Sequence, residues 1–223
     1  MTSEATLTRL REGAADFRYL LNRGYPRRAA LSLVGNRYGL DRTGRQLLHR
    51  GVFASDLAAT RRRKIRLLQD LSGLPLGIDG HNVLITLIAA LRGLPLVAAD
   101  DGFIRDAALL SGTYRDSPET EAALALLADL LARTGVGPLS LWFDAPMSRS
   151  GELARRAAEV LHSRGLEAAS QAVPVPEREL LAFPGPIATS DTHLIDAGAA
   201  VADLAGEIIR AHPTLRANLI APA

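Results

Sequence analysis

Apolar residues in the first seventy positions recur at helical spacing, as Leu7, Leu10, Ala14, Phe17 and Leu21, until Gly24 and Pro26 interrupt them. Pro26 is well placed to open a second helix, because a first-turn proline forfeits no intrahelical hydrogen bond. Asp41 is set to cap a helix through Arg50, and Ser55 one through Leu71. Three or four short helices are predicted here, and no strand.

From Leu74 the pattern changes. Short apolar runs predict strands at 74–78, 94–99, 139–143, 166–172 and 186–189. Helical patterns at 81–92, 117–133, 151–164 and 200–211 fall between and after them. Strand–helix alternation predicts an α/β fold, with a mainly parallel sheet covered by helices on both faces. The change of pattern divides the chain into a helical domain over 1–72 and an α/β domain over 73–223. No internal repeat or low-complexity tract is present.

Composition narrows the chemistry. Hydrophobic residues make up 48% of the 223 positions, enough for a sizeable core, but aromatics are only 4%, so that core rests on Leu, Ala, Val and Ile. With no cysteine, disulfides, thiolate metal sites and cysteine nucleophiles are excluded. The longest apolar run in a predicted helix, 83–91, is far too short to span a bilayer, so no membrane partner is expected. The opening MTSEATLTRL lacks the apolar stretch of a signal peptide, and a cytoplasmic location is expected.

The net charge of +2 conceals a segregation. Residues 1–70 hold 15 basic and 6 acidic side chains, and the remainder holds 11 and 18. A basic half beside an acidic half points to a polyanionic partner such as nucleic acid.

Ligands of open parallel sheets bind outside the carboxyl ends of the strands. Asp79 follows the first predicted strand, Asp100 and Asp101 the second, Asp144 the third, and Ser190 with Asp191 that at 186–189. Singly, each aspartate reads as a turn or cap residue. Together, four carboxylates on one edge repel one another unless a cation neutralises them. Oxygen ligands without cysteine favour Mg²⁺ or Mn²⁺, ions that polarise phosphoryl oxygens and acidify bound water.

Ile78-Asp79-Gly80-His81-Asn82-Val83 resembles the opening strand motif of PIN-like nucleases, above all their NYN branch, where an Asp-Gly-x-Asn run follows the first strand. Ala188-Thr189-Ser190-Asp191 resembles the late Thr/Ser-x-Asp element of the same superfamily, and Asp196 stands where a further acidic residue is often found. The resemblance covers residues 74–210. It implies a three-layer α/β/α sandwich, here preceded by the basic helical domain. It also implies a divalent metal site and, usually, RNA cleavage. PIN-like domains commonly carry another acidic residue between the first and third strands. Asp100, Asp101 and Asp106 are the candidates, in a segment that reads as a loop entering a short helix. On this reading Asp79, Asp144 and Asp191 are catalytic, and Asp79, Asp101, Asp106, Asp144, Asp191 and Asp196 form the pool of metal ligands.

Candidate substrate contacts surround these positions. Ser148, Arg149 and Ser150 precede a predicted helix start, where backbone amides can hold a phosphate; the plain alternative is a capped helix. Asn82 either steadies the Asp79 loop or meets substrate, and Arg105 either neutralises a carboxylate or touches phosphate. His81 and His193 are weaker acid–base candidates. Arg61, Arg62 and Arg63, with the other arginines of the helical segment, are expected to clamp the nucleic-acid backbone; the plain alternative is a solvated face.

Several enzyme classes are not supported. A haloacid-dehalogenase site needs an aspartate two residues after its nucleophile, and position 81 is histidine. No Walker loop, dinucleotide-binding glycine motif or nucleophile elbow is present. The expected function is a metal-dependent nuclease acting on RNA, with a homodimer compatible. The alternatives are a non-catalytic RNA-binding protein of the same fold and a small-molecule phosphohydrolase.

Overall fold

The computed structural model describes residues 4–108, 110 and 115–222. Four helices open the chain: α1 (Glu4–Asn22), α2 (Arg27–Arg37), α3 (Arg42–Gly51) and α4 (Ser55–Arg62). Asp41 caps α3 by accepting from the Gly44 amide at 2.7 Å. Leu10, Ala14, Phe17, Ala30, Val34 and Leu48 form the core between the first three helices.

The helix expected from Ser55 to Leu71 is shorter. It stops at Arg62, and a 3-10 turn at Leu68–Leu71 follows after a break. In that break Ile65 bridges Val201, the Arg66 amide donates to the Val201 carbonyl, and the Val201 amide donates to the Lys64 carbonyl. Pairing with a distant strand takes up the backbone groups that a continuous helix would use.

The remainder runs β1 (Leu76–Asp79), α5 (Gly80–Leu91), β2 (Leu96–Ala98), β3 (Ile104–Asp106), α6 (Pro118–Thr134), β4 (Leu139–Asp144), α7 (Ser150–His162), β5 (Ala168–Val173), α8 (Pro176–Ala182), β6 (Ile187–Ala188), α9 (Thr192–Ala197), β7 (Val201–Ala202), α10 (Leu204–Ala211) and β8 (Leu219–Ile220). Five strands form one sheet in the order β5-β4-β1-β6-β7, every neighbouring pair parallel. The predicted α/β class with a mainly parallel sheet is therefore observed, together with the N-terminal helical region.

Alternation along the strands builds a core on each face. Ile78 of β1 and Leu141 of β4 pack with Leu84 of α5, Leu127 of α6, Leu153 of α7 and Ile208 of α10. Trp142 and Ile187 turn the other way, toward Leu180 of α8 and Leu194 of α9. Helix α5 is apolar nearly all round, and ten of its twelve residues are buried, as expected of a helix enclosed on all sides.

The predicted strand at 94–99 does not join the parallel sheet. It forms as β2 and pairs antiparallel with β3 and parallel with β8 in a separate three-stranded sheet. The chain turns at Asp101-Gly102, where Gly102 has φ +90°, and returns at once as β3. A parallel neighbour needs a crossover of a dozen or more residues, which this turn does not provide. Residues 99–106 are thus a hairpin rather than a loop entering a helix. Val97 and Ala107 from this region complete the core of the helical segment.

The helix expected over 200–211 begins late. Val201–Ala202 pairs with β6 as β7, and Asp203 then caps α10 by accepting from the Gly206 amide at 3.0 Å. No helix among the described residues is long and apolar enough to cross a membrane.

Candidate functional site

Strand order reverses at the centre of the main sheet. The chain goes from β1 outward to β4 and β5, then crosses to the other side of β1 with β6 and β7. The crevice beyond the strand ends at such a reversal is where ligands of this sheet type bind. Asp79 ends β1 there, and Thr189, Ser190 and Asp191 follow β6.

These two strand ends are stitched together by side chains. The Thr189 hydroxyl donates to Asp79 Oδ2 at 2.8 Å and accepts from the Asp191 amide at 3.1 Å. Asn82 Oδ1 accepts from both the amide and the hydroxyl of Ser190, at 2.8 and 2.9 Å. Asp79 Oδ1 accepts from the Asn82 amide at 3.3 Å, so it also caps α5. Gly80 is required by close approach: a Cβ there would lie 2.5 Å from the Phe143 ring.

Burial pushes the Asp79 carboxyl up to about 7, against the hydrogen bonds from Thr189 and Asn82 and with help from the charges of Asp144 and Asp191. Asp79 thus feels both of the other carboxylates. Asp79, Asp106, Asp144 and Asp191 line a single cavity of about 210 Å³, joined by Arg50 and Glu177. His81 also reaches it, with Nδ1 2.9 Å from both the Asp144 amide and Asp144 Oδ2. The amide can only donate, so Nδ1 is its acceptor, and the Asp144 carboxylate lies within reach of the same atom.

A second cavity, of about 390 Å³, adjoins the first and shares Arg50, Asn82 and Asp191 with it. Arg27, Arg61 and Arg105 line its far side around Phe53. Their guanidinium carbons lie 4.7, 4.6 and 5.3 Å from the Phe53 ring centre.

Four of the six candidate metal ligands, Asp79, Asp106, Asp144 and Asp191, meet at the first cavity. Asp101 and Asp196 do not. Asp101 is fully buried and takes a two-point ion pair from Arg105, at 2.8 and 2.9 Å, and a third contact from Arg61 at 3.2 Å. Asp196 takes both Nε and Nη2 of Arg61 at 2.7 Å each. Asp100 is bound by Arg18 at 2.8 and 2.9 Å. These carboxylates hold the helical segment to the α/β region.

The basic run 61–64 is used in the same way. Arg61 is bound as above, Arg62 donates to the Asp100 carbonyl, and Lys64 donates to the Ile195 and Asp196 carbonyls. Arg63, just past the end of α4, is exposed and donates to Thr60 at 3.0 Å. Arg105 also donates from Nε to the Ser190 carbonyl at 2.7 Å, which ties the hairpin to the β6 loop.

At the helix start at 148–150 the buried serine and the arginine turn to partners in their own loop and helix. The Ser150 hydroxyl donates inward to the Ala145 and Met147 carbonyls, and Arg149 pairs with Glu152. Arg149 occupies the N-cap, with φ +60°. Ser148 is exposed, and His193 is an exposed residue of α9. Arg27, one of the helical-segment arginines expected to clamp a nucleic-acid backbone, lines the second cavity, whereas Glu177 of α8 was not singled out by sequence reasoning. α8 has only seven residues and no preceding signal beyond Pro176.

Among the described residues, no three His, Asp or Glu side chains are grouped closely enough to hold one metal ion. The carboxylates of the first cavity, as placed, do not fit a preformed divalent centre. The cation they face is Arg50, which senses Asp106 and Asp191 and donates to the Asp106 carbonyl at 3.0 Å.

Fold and site together define an α/β protein with a switch-point crevice in which an acidic cavity adjoins an arginine-lined one. Residues 68–207 match the family described as "Domain of unknown function (DUF5616)", and the chain belongs to that family. Residues 9–64 match a second description, "Protein of unknown function (DUF434)". The uncharacterized protein MJ0935 of Methanocaldococcus jannaschii is 34% identical over 152 residues, which cover 68% of this chain and 73% of that protein. No solved structure matches.

Proposed function

We propose that the paired cavities hydrolyse phosphodiesters of nucleic acid, with RNA the first substrate to test. The observation that carries the reading is the convergence of four aspartates, from the ends of β1, β3, β4 and β6, on a cavity that opens beside an arginine-lined one. Arginine suits phosphate oxygens, and a carboxyl held near neutrality suits proton transfer at pH 7. Arg50, common to both cavities, holds the phosphoryl group at their junction. A water attacks phosphorus and gives its proton to the Asp79 carboxylate. The ester P–O bond breaks, and the leaving oxygen takes a proton from solvent.

The PIN-like sandwich belongs to the same proposal. Its support is that the Asp79-Gly80-His81-Asn82 and Thr189-Ser190-Asp191 motifs lie on the neighbouring strands β1 and β6. Mg²⁺ or Mn²⁺ enters only as an added component of the assay, because the carboxylates as placed do not group for an ion. That same fact favours a second reading, in which the protein binds RNA through its arginines without cutting it.

The test is cleavage of a labelled RNA by purified protein, with Mn²⁺, with Mg²⁺ and with chelator. The proposal expects cleavage in at least one condition, and its loss in Asp79→Asn and Asp191→Asn. Cleavage at wild-type rates by both variants would overturn the site. Salt-sensitive binding without cleavage in any condition would favour the second reading.

A further inference from the structure

The arginine-lined cavity has a charge arrangement that a backbone clamp does not explain. Arg61 and Arg105 are committed to Asp101 and Asp196. Arg27 and Arg50 are not: among the described residues, neither has a carboxylate within salt-bridge distance, and each donates to a backbone carbonyl instead, of His49 and of Asp106. Neither guanidinium is therefore held in a direct ion pair, although Asp106 and Asp191 act on Arg50 from the adjoining cavity. His49 lies beside them in the wall. Asn82, with Oδ1 taken by Ser190, keeps its NH₂ group available to donate.

The cavity is also built against reading a base. Its phenyl ring, Phe53, is ringed by Arg27, Arg61 and Arg105 and only 5% exposed, so no open face is left for a base to stack on. What it offers is charge and N–H donors. Two guanidiniums that are not held in direct ion pairs match a phosphomonoester, which carries close to two negative charges at pH 7, better than the single charge of an internal diester.

We propose that this cavity is a subsite for a terminal phosphate, so that the protein recognises the phosphorylated end of a nucleic-acid strand through Arg27 and Arg50. Burial and the neighbouring charges of Arg61 and Arg105 pull the Arg27 guanidinium down to about 10, a penalty that a bound dianion relieves. The inference rests on the nucleic-acid reading above, but it concerns binding and not cleavage. It adds end recognition: the diester next to the phosphorylated end is placed at the junction where Arg50 and Asp191 line both cavities.

The experiment measures binding of one short RNA in three forms: 5′-phosphorylated, 3′-phosphorylated, and with hydroxyls at both ends. Chelator is present, and Asp79→Asn serves as a parallel background in which cleavage is not expected. One phosphorylated form is expected to bind roughly ten-fold tighter than the hydroxyl form, the size of a charge-assisted hydrogen bond. Arg27→Gln and Arg50→Gln should each erase that gap, and Arg27→Lys should retain part of it. In the wild type, inorganic phosphate at constant ionic strength should reduce the phosphorylated form to the hydroxyl form's affinity, a readout that needs no variant. Equal binding of all three forms would overturn the proposal, as would a gap that survives saturating phosphate. The binding gap with no RNA cleavage would reject the hydrolysis reading and leave the subsite standing; cleavage without the gap would do the reverse.

Discussion

The Thr189 hydroxyl donates to Asp79 Oδ2 at 2.8 Å across 110 positions of chain, and both groups are buried. This bond joins the two strands at which the sheet reverses. It is also one of the two hydrogen bonds, with that from the Asn82 amide, that among the described residues oppose the upward push of burial on the Asp79 carboxyl. Between pH 3.8 and about 7 the folded protein therefore holds a proton on Asp79 that the unfolded chain has released. Stability from this group falls as pH rises through that window, because the folded state binds more protons. Asp79→Asn removes the penalty. It is expected to match the wild type near pH 4 and to exceed it above pH 7 by on the order of 4 kcal/mol. Urea unfolding at both pH values checks this, and a variant advantage that does not grow with pH would count against the assignment.

Thr189→Val tests the same bond from the other side. The substitution keeps shape and removes the donor, leaving a buried carboxyl oxygen short of a partner. A cost of about 1–3 kcal/mol is expected. The pH window of Asp79 should also move upward, since a bond that favours the charged form is lost. The midpoint of the pH-dependent part of Tm reads this directly, and an unchanged or lowered midpoint would reject it.

Much of this site could be read along the chain because its parts are local. Asp79 sits next to its capped helix, with the Asn82 amide only 3 positions away, and Asp41, Ser117 and Pro118 announce helix starts in the same way. The strands at 76–79 and 139–144 were legible because each is a short, mainly apolar run ending in an aspartate. What escaped was set by distant partners. Asp101 and Asp106 lie five positions apart on one hairpin, yet only Asp106 reaches the acidic cavity, because two arginines hold Asp101. Arg61 and Asp196 are 135 positions apart, and no spacing rule links them. Strands of two or three residues, such as β3, β7 and β8, are too short to show a period.

Gly80 offers a steric test of how the site is held. A Cβ at this position would meet the Phe143 ring at 2.5 Å, and the ring is fully buried, packed edge-on to His81 with centroids 5.2 Å apart. Gly80→Ala should therefore cost about 1–3 kcal/mol by overpacking, and should disturb Asp79 and His81 on either side of it. Phe143→Leu in the same chain makes room and should recover part of the loss. Thermal melts of the single and double variants measure the coupling; simple additivity would reject the contact as the cause.

Asp101 separates a structural carboxylate from a ligand. It has no exposed surface, and its two oxygens face Arg105 and Arg61, themselves 4% exposed. Removing a carboxylate from a buried pair leaves uncompensated charge, here on two guanidiniums at once. Asp101→Ala is expected to cost about 3–5 kcal/mol. The loss should fall on the joint between the helical segment and the α/β region, because Arg61 belongs to α4 and Arg105 to β3. Hydrogen exchange should show faster opening in α4 and the 99–106 hairpin than in β1 and β4. Were Asp101 a metal ligand, the variant would lose a Mn²⁺-dependent gain in Tm that the wild type shows, with little loss when ion is absent. A large loss in chelator, with no difference in the response to Mn²⁺, is the outcome the buried ion pairs require.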